Sequence, residues 1–179
     1  ARANLAEASA DDPYLNWIRT QSSGWVRFMF EFTVPVVVPG GLTYLTDEKT
    51  GAASWKSPEG ELKWPIRFSL VFKALRLGGI TGMRRLLLSA RQTEKYHPKS
   101  PHYYLFAIGS LSQHRGQGVG SRLIAHVLRR CDEEKVPAYL ENSKEQNLAF
   151  YRGHGFEVME EIRFAPDAPP IWLMWREPR

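Results

Sequence analysis

Apolar residues recur every four positions between Val119 and Cys131. Val119, Leu123, Val127 and Cys131 therefore line one face of an amphipathic helix. Just upstream, Tyr103–Gly109 is a continuous aromatic and apolar run of strand length. Downstream, Pro137 ends the helix, Ala138–Leu140 opens a second strand, and Asn147–His154 reads as a short helix with Gly155 at its stop. Phe156–Phe164 and Ile171–Trp175 read as two closing strands. The second half is thus strand, glycine loop, helix, strand, helix, strand, strand.

The first half is patterned less sharply. Leu5 to Ala10 reads as the tail of a helix stopped at Asp11-Asp12-Pro13. Trp25–Phe32 fits either helix or strand and is taken as helix. Pro35 and Pro39 bracket an extended Val36–Val38. Leu42–Leu45 and Ala52–Trp55 read as a hairpin turning through Thr46–Gly51. Ile66–Leu77 and Met83–Tyr96 have helical spacing, broken at Gly78-Gly79. No repeat, low-complexity tract or Gly/Ser linker interrupts the chain, which predicts one domain over residues 1–179.

Composition supports a folded domain: 43% of the 179 residues are apolar and 24% charged. No apolar run approaches the roughly 18 residues of a membrane span, so no membrane partner is expected. The chain begins at Ala1 without a Met and shows no apolar signal-peptide core. Cys131 is the single cysteine, which excludes an internal disulfide and predicts a reducing compartment, the cytoplasm. A net charge of +5 favours anionic partners. Arg84-Arg85 and Arg129-Arg130 are isolated pairs rather than a dense basic run, so nucleic acid is not expected; a basic solvated surface or a phosphate-bearing small molecule explains the charge equally well. Monomer and homodimer both remain open.

The strand-to-helix junction carries the chemistry. In Arg115-Gly-Gln-Gly-Val-Gly120, glycines alternate where a helix begins. Glycine allows close backbone approach, and the first-turn N–H groups point outward at the positive end of the helix dipole, as a phosphate site requires. A tight turn would need fewer glycines. Gly120 is followed by Ser121 and Arg122, so the P-loop Lys is absent. The spacing G-x-G-x-G is not the dinucleotide fingerprint, and about 60 residues are too few for its doubly wound sheet.

This loop resembles the acetyl-CoA pyrophosphate loop of the GNAT N-acetyltransferase superfamily, R/Q-x-x-G-x-G/A, through Arg115, Gly118 and Gly120. Asn147-Leu-Ala-Phe-Tyr151 followed by Gly155-Phe156 resembles that family's N-x-x-F-Y…G-F element. His97-Pro-Lys-Ser-Pro101, Val136–Ser143 and Trp172-Leu-Met174 resemble the puromycin N-acetyltransferase-like acetyltransferases of antibiotics and small amines. The likeness covers residues 95–176, the acetyl-CoA-binding half. It implies a mixed α/β fold, a twisted and largely antiparallel sheet with a splayed central strand pair and flanking helices.

By that resemblance, acetyl-CoA is the acyl donor and a small-molecule primary amine attacks it directly in a ternary complex. Backbone near Ser110 and Leu111 would pair with the pantetheine arm and polarise the thioester carbonyl. The amides of Arg115, Gly116, Gln117, Gly118, Val119, Gly120 and Ser121 would hold the pyrophosphate. Asn142, Asn147 and Phe150 would line the cofactor arm. Tyr151 would protonate the departing thiolate.

From the residues alone, Tyr151 is a proton donor or a core tyrosine, and Asn147 is a ligand or a helix cap. Many relatives carry a Glu in the central strand, but Tyr103–Gly109 contains no carboxylate. By resemblance to the antibiotic-acetylating relatives, Glu141, just past the next strand, is the candidate base; from the residues alone it is equally an exposed strand-end carboxylate. His102 and His154 are weaker candidates, and an amine that arrives partly neutral needs no base. The five histidines lack metal-ligand spacing, so no metal is expected. Cys131 lies on an apolar helix face and is not expected to act as a nucleophile. Trp17, Trp25, Trp55 and Trp64 belong to the core or to an acceptor pocket. The rival readings are a non-catalytic CoA-binding sensor, acetylation of a protein or peptide amine, and a basic nucleic-acid-binding module.

Overall fold

A computed structural model describes residues 2–18, 24–37, 41–60 and 68–179. The helices are α1 (Arg2–Ala8), α2 (Pro13–Ile18), α3 (Gly24–Val37), α4 (Phe68–Tyr96, kinked at Gly79), α5 (Val119–Glu134) and α6 (Leu148–Gly153). The strands are β1 (Gly41–Leu45), β2 (Gly51–Lys56), β3 (Tyr103–Ser110), β4 (Ala138–Asn142), β5 (Glu157–Ile162) and β6 (Ile171–Arg176). They form one sheet in the order β1-β2-β3-β4-β6-β5, in which only the β3–β4 pair is parallel. This is the mixed α/β, largely antiparallel architecture that the sequence implied.

Helix α5 covers one face of the sheet. Its Val119, Leu123, Ile124, Val127, Leu128 and Cys131 are buried against Trp55, Leu105, Leu140 and Met174. Each such side chain contributes about 1.5–3 kcal/mol, so the four-residue pattern specifies the docking face. The opposite face carries the N-terminal helices and α4. Tyr104, Tyr139 and Leu173 meet Tyr14 and Trp17 of α2, while Leu5 of α1 packs with Val26 and Phe30 of α3 over Ala52.

Several elements differ from expectation: α2 was not indicated by the sequence, α1 ends at Ala8 rather than Ala10, and β5 spans Glu157–Ile162 rather than Phe156–Phe164. Helix α3 runs through Pro35 to Val37, so Val36 and Val37 are not extended. Burial of Trp25, Val26, Phe28 and Phe30 drives this helix, and a proline near its end costs it only one late hydrogen bond. Helix α5 stops at Glu134, with Lys135 left-handed at φ 56°, before Pro137 is reached. A 3-10 turn over Glu145–Asn147 opens the region expected to be a single helix, and α6 follows. Val38, Pro39, Trp64 and Ile66 lie outside the described residues.

Candidate active site at the central seam

The β3–β4 pairing covers only Tyr103↔Ala138, Tyr104↔Tyr139 and Leu105↔Leu140, although β3 continues to Ser110 and β4 to Asn142. The cause lies one residue further on. On the β2 side the register passes from Trp55↔Leu105 to Ser54↔Ala107, skipping Phe106. Phe106 is therefore a β-bulge, which bends its strand and sharpens the local twist. Past it, β3 stays with β2 and diverges from β4, opening a seam in mid-sheet.

Alternation decides which backbone groups face that seam. The Leu111 N–H donates to the Thr50 carbonyl at 2.8 Å, so Leu111 and, two positions back, Gly109 point at β2. Ile108 and Ser110 point the other way, into the seam. The Leu111 carbonyl is also paired, accepting from the His114 N–H at 2.9 Å. Ser110 is thus well placed to pair with a ligand backbone and Leu111 is not. Ile108 is the second seam-facing residue, which the sequence did not indicate.

The glycine loop leads into α5 next to this seam. Gly116 and Gly118 have φ of 77° and 73°, the left-handed region open to glycine. Gly118 stands at the N-cap of α5 with no side chain capping the helix, so first-turn donors are left to a ligand. Atoms added at Gly116 or Gly118 would meet nothing within 4 Å, consistent with a surface kept clear for an anion. Gly120 is close to the Phe150 ring, where a Cβ would lie 3.2 Å away. Phe150 therefore props the loop against α6. The Gln117 side chain stays within the loop, donating to the Gln113 carbonyl at 3.1 Å.

At α6, Asn147 makes no side-chain capping bond, leaving its amide available. Tyr151 is buried, and desolvation first, then the Asp12 charge, pushes its hydroxyl above the usual tyrosine range. It keeps its proton throughout the ordinary pH range. Asn142 is buried and already engaged: its Nδ2 donates to the Lys144 carbonyl at 2.8 Å, and its Oδ1 accepts from the Lys144 N–H. It shapes the loop after β4.

Glu141 follows the last β3–β4 pair. It lies on the Tyr139 face of β4, where Tyr139 donates to Oε1 at 3.1 Å and Tyr104 to Oε2 at 3.3 Å. Burial, then the Glu141 charge, raises both hydroxyls, so they remain donors. His97 Nδ1 stands 3.8 Å from Oε1. The carboxylate is only 16% exposed, which sets it apart from an ordinary strand-end glutamate.

The N-terminal turn also reaches the site. Asp12 caps α2 by accepting from the Leu15 N–H at 3.0 Å and also accepts from the Ser143 hydroxyl. Asp11 pairs with both Lys144 and Arg115. The hydrogen bond from Lys144, with Arg115 assisting, holds its carboxyl below the usual range. Arg115 is thereby turned toward α1, where it also reaches the Ala8 carbonyl, so its side chain ties helices together while its amide donates to the Ser112 carbonyl at 3.3 Å. The Gln117 N–H likewise donates to the His114 carbonyl at 3.4 Å, so these two amides, expected to hold the pyrophosphate, are already engaged. The sequence offered Asp11-Asp12-Pro13 as a helix stop and gave it no place in the site.

Other candidates fall elsewhere. Trp25 and Trp55 are fully buried core residues, and Trp17 lies under the Arg85 guanidinium at 4.8 Å. Burial pushes the Cys131 thiol up to about 12, which leaves it unreactive. His154 Nδ1 is 2.8 Å from the Phe150 carbonyl. Among the described residues no group of three or more metal-ligating side chains assembles.

The profile of the acetyltransferase (GNAT) family matches residues 44–156, from β1 to the end of the α6 turn. The chain belongs to the GNAT family. An uncharacterized N-acetyltransferase of Schizosaccharomyces pombe is 27% identical over 195 residues, spanning 99% of this chain and 78% of that protein. A crystal structure from Corynebacterium glutamicum, described as histone acetyltransferase HPA2 and related acetyltransferase, superposes with a TM-score of 0.71 at 27% identity. It covers 99% of this chain and 89% of the other. An agmatine N-acetyltransferase shares the fold at 14% identity and a TM-score of 0.56, covering 98% of this chain and 94% of that one.

This GNAT protein is an acetyl-CoA-dependent N-acetyltransferase. The seam suits that donor. Its unpaired β3 backbone can take an amide-bearing arm, and the left-handed glycines and uncapped helix suit a pyrophosphate.

Proposed function

We propose that this enzyme acetylates the primary amine of a small molecule, with Glu141 as general base and Tyr151 as general acid. The observation that carries this reading is the Glu141 carboxylate, held by two tyrosine hydroxyls where β4 leaves β3. A base must be fixed within reach of the attacking nitrogen, and two donors aimed at one carboxylate fix it. The bound thioester supplies the acetyl group. Seam-facing amides of Ile108 and Ser110 orient the arm and polarise the carbonyl, and the amides of Gly116, Gly118, Val119, Gly120 and Ser121 hold the pyrophosphate. Glu141 takes the amine proton as nitrogen attacks, and Tyr151 supplies one to the departing sulfur.

The Asp11–Lys144 and Asp12–Ser143 contacts join the N-terminal helices to the loop after β4. Such a tie beside the end of β4 favours a compact amine over a folded protein surface as the acceptor. The likeness to puromycin N-acetyltransferase-like enzymes in His97–Pro101 and Val136–Ser143 supports the same class. Release of free CoA is measured with puromycin, aminoglycosides, polyamines, amino acids and short peptides. Turnover confined to small amines supports the proposal. Turnover confined to peptides assigns a protein amine, and binding of CoA without turnover assigns a sensor.

A further inference from the structure

His97 lies just after α4 and His102 just before β3, separated by Pro98-Lys99-Ser100-Pro101. Their rings meet with centroids 4.9 Å apart and Nε2 atoms 3.2 Å apart. His102 is buried, and its Nδ1 stands 2.7 Å from the Ser100 carbonyl. A carbonyl only accepts, so this Nδ1 carries a proton. Burial holds His102 down at about 4, so at ordinary pH the ring is neutral and its Nε2 is bare. The Nε2–Nε2 hydrogen bond must then be donated by His97. Neutral His97 has only that one N–H, which leaves its Nδ1 bare toward Glu141 Oε1.

A bare imidazole nitrogen and a carboxylate oxygen bring lone pairs to lone pairs. Their approach is favourable only when one of them is protonated. Tyr104 and Tyr139, whose rings stand edge-on to His97 at 4.9 and 5.1 Å, are already donors to Glu141 and cannot relieve it of a proton. Trp175 and Tyr139 enclose His102, and Lys56 of β2 acts on it from a distance.

We propose that His97 is a positioning residue that receives the proton from Glu141 during turnover, its tautomer set by His102. This rests on Glu141 being the base. The amine N–H breaks as Glu141 gains O–H. That O–H then breaks as His97 Nδ1 gains N–H, restoring the carboxylate and leaving an imidazolium. A small rotation of the part-exposed ring closes the 3.8 Å contact, and the imidazolium returns its proton to bulk water. No oxidation state changes.

Nitrogen-15 NMR of the histidine rings at pH 8 tests the tautomers without any acceptor. His102 should be protonated at Nδ1 and neutral His97 at Nε2; the reverse for either ring overturns the proposal. With an amine that the wild type acetylates, His97→Gln and His97→Gly should lower kcat by about 10- to 10²-fold while leaving the acetyl-CoA KM unchanged. Added imidazole should restore His97→Gly, and a merely structural histidine would not show such rescue. Unchanged kcat, or a slow His97→Gly that imidazole fails to restore, overturns the relay while a slow Glu141→Gln keeps the base. Wild-type turnover in Glu141→Gln removes the base, and the relay with it.

Discussion

The Tyr139 hydroxyl donates to Glu141 from two positions earlier on the same strand, while Tyr104 reaches the other carboxylate oxygen from the neighbouring strand. A single rung of the parallel ladder, Tyr104↔Tyr139, the middle one of three, thus supplies both donors that orient the candidate base. Glu141→Gln should lower turnover about 10²-fold or more near neutral pH. The deficit should shrink as pH rises, because the acceptor amine then loses its proton unaided. CoA release measured across pH checks this. A deficit uniform across pH would make Glu141 a substrate-positioning group.

Tyr151→Phe keeps the ring packed against Phe150 and Phe156 and removes its one transferable proton. Turnover should fall by about 10²–10⁴-fold with acetyl-CoA affinity nearly unchanged, since the hydroxyl acts mainly in the transition state. Stopped assays, calorimetry and a melting curve on one preparation separate this from a packing role. Wild-type turnover would end the general-acid assignment.

Gly118 combines a left-handed backbone with a place at the head of α5. Gly118→Asn should fold with a small loss, because Asn tolerates that conformation, and should weaken CoA binding modestly. Gly118→Asp sets a carboxylate against the pyrophosphate and should abolish binding in a calorimetric titration. Equal affinities for the two variants would separate the loop from the pyrophosphate.

Arg176 of β6 is 4% exposed and grips Asp132 of α5 through two hydrogen bonds of 2.9 Å. Asp132→Asn takes the charged partner from a buried guanidinium, leaving it the His154 carbonyl at 3.0 Å, and should cost about 3 kcal/mol. That corresponds to a melting temperature lower by roughly 6–12 °C in a domain of this size. A shift under about 2 °C would show that the pair contributes little.

His102 carries its own pH signature. Its folded value of about 4 lies below the 6.5 of a free histidine, so the unfolded chain binds the extra proton first. The stability contributed by neutral His102 is complete above about pH 6.5 and is lost progressively as pH falls to about 4. His102→Gln should flatten the melting-temperature profile in that window, and an unchanged slope would show that other groups govern it.

The second half of the chain was legible because its signals are local. The four-residue period of α5 and the glycine loop need only neighbours in sequence to declare themselves. The splay of the central strand pair came only through the family resemblance; its cause was not legible, since Phe106 becomes a bulge only through its relation to Ser54 and Trp55 on another strand. Leu111 failed as a seam residue for the same reason: its N–H is taken by Thr50, 61 positions earlier. Tyr104 and Tyr139 were legible only as members of the strand runs Tyr103–Gly109 and Ala138–Leu140, and in the fold they are buried aromatics as well as donors. Asp11 and Asp12 carried a turn signal that hid their contacts with Lys144 and Ser143 more than 130 positions away.

The short parallel ladder makes the sheet two three-stranded pieces stitched by three rungs and clasped by α5, which packs on both. A donor lying in the gap stands where further rungs would have been, so it is a structural member as well as a reagent. Saturating acetyl-CoA at 100 times its Kd would add about 2.7 kcal/mol to stability by mass action. Between turnovers the molecule gives up that brace, and the backbone amides of Ile108 and Ser110 are then left open to exchange with water.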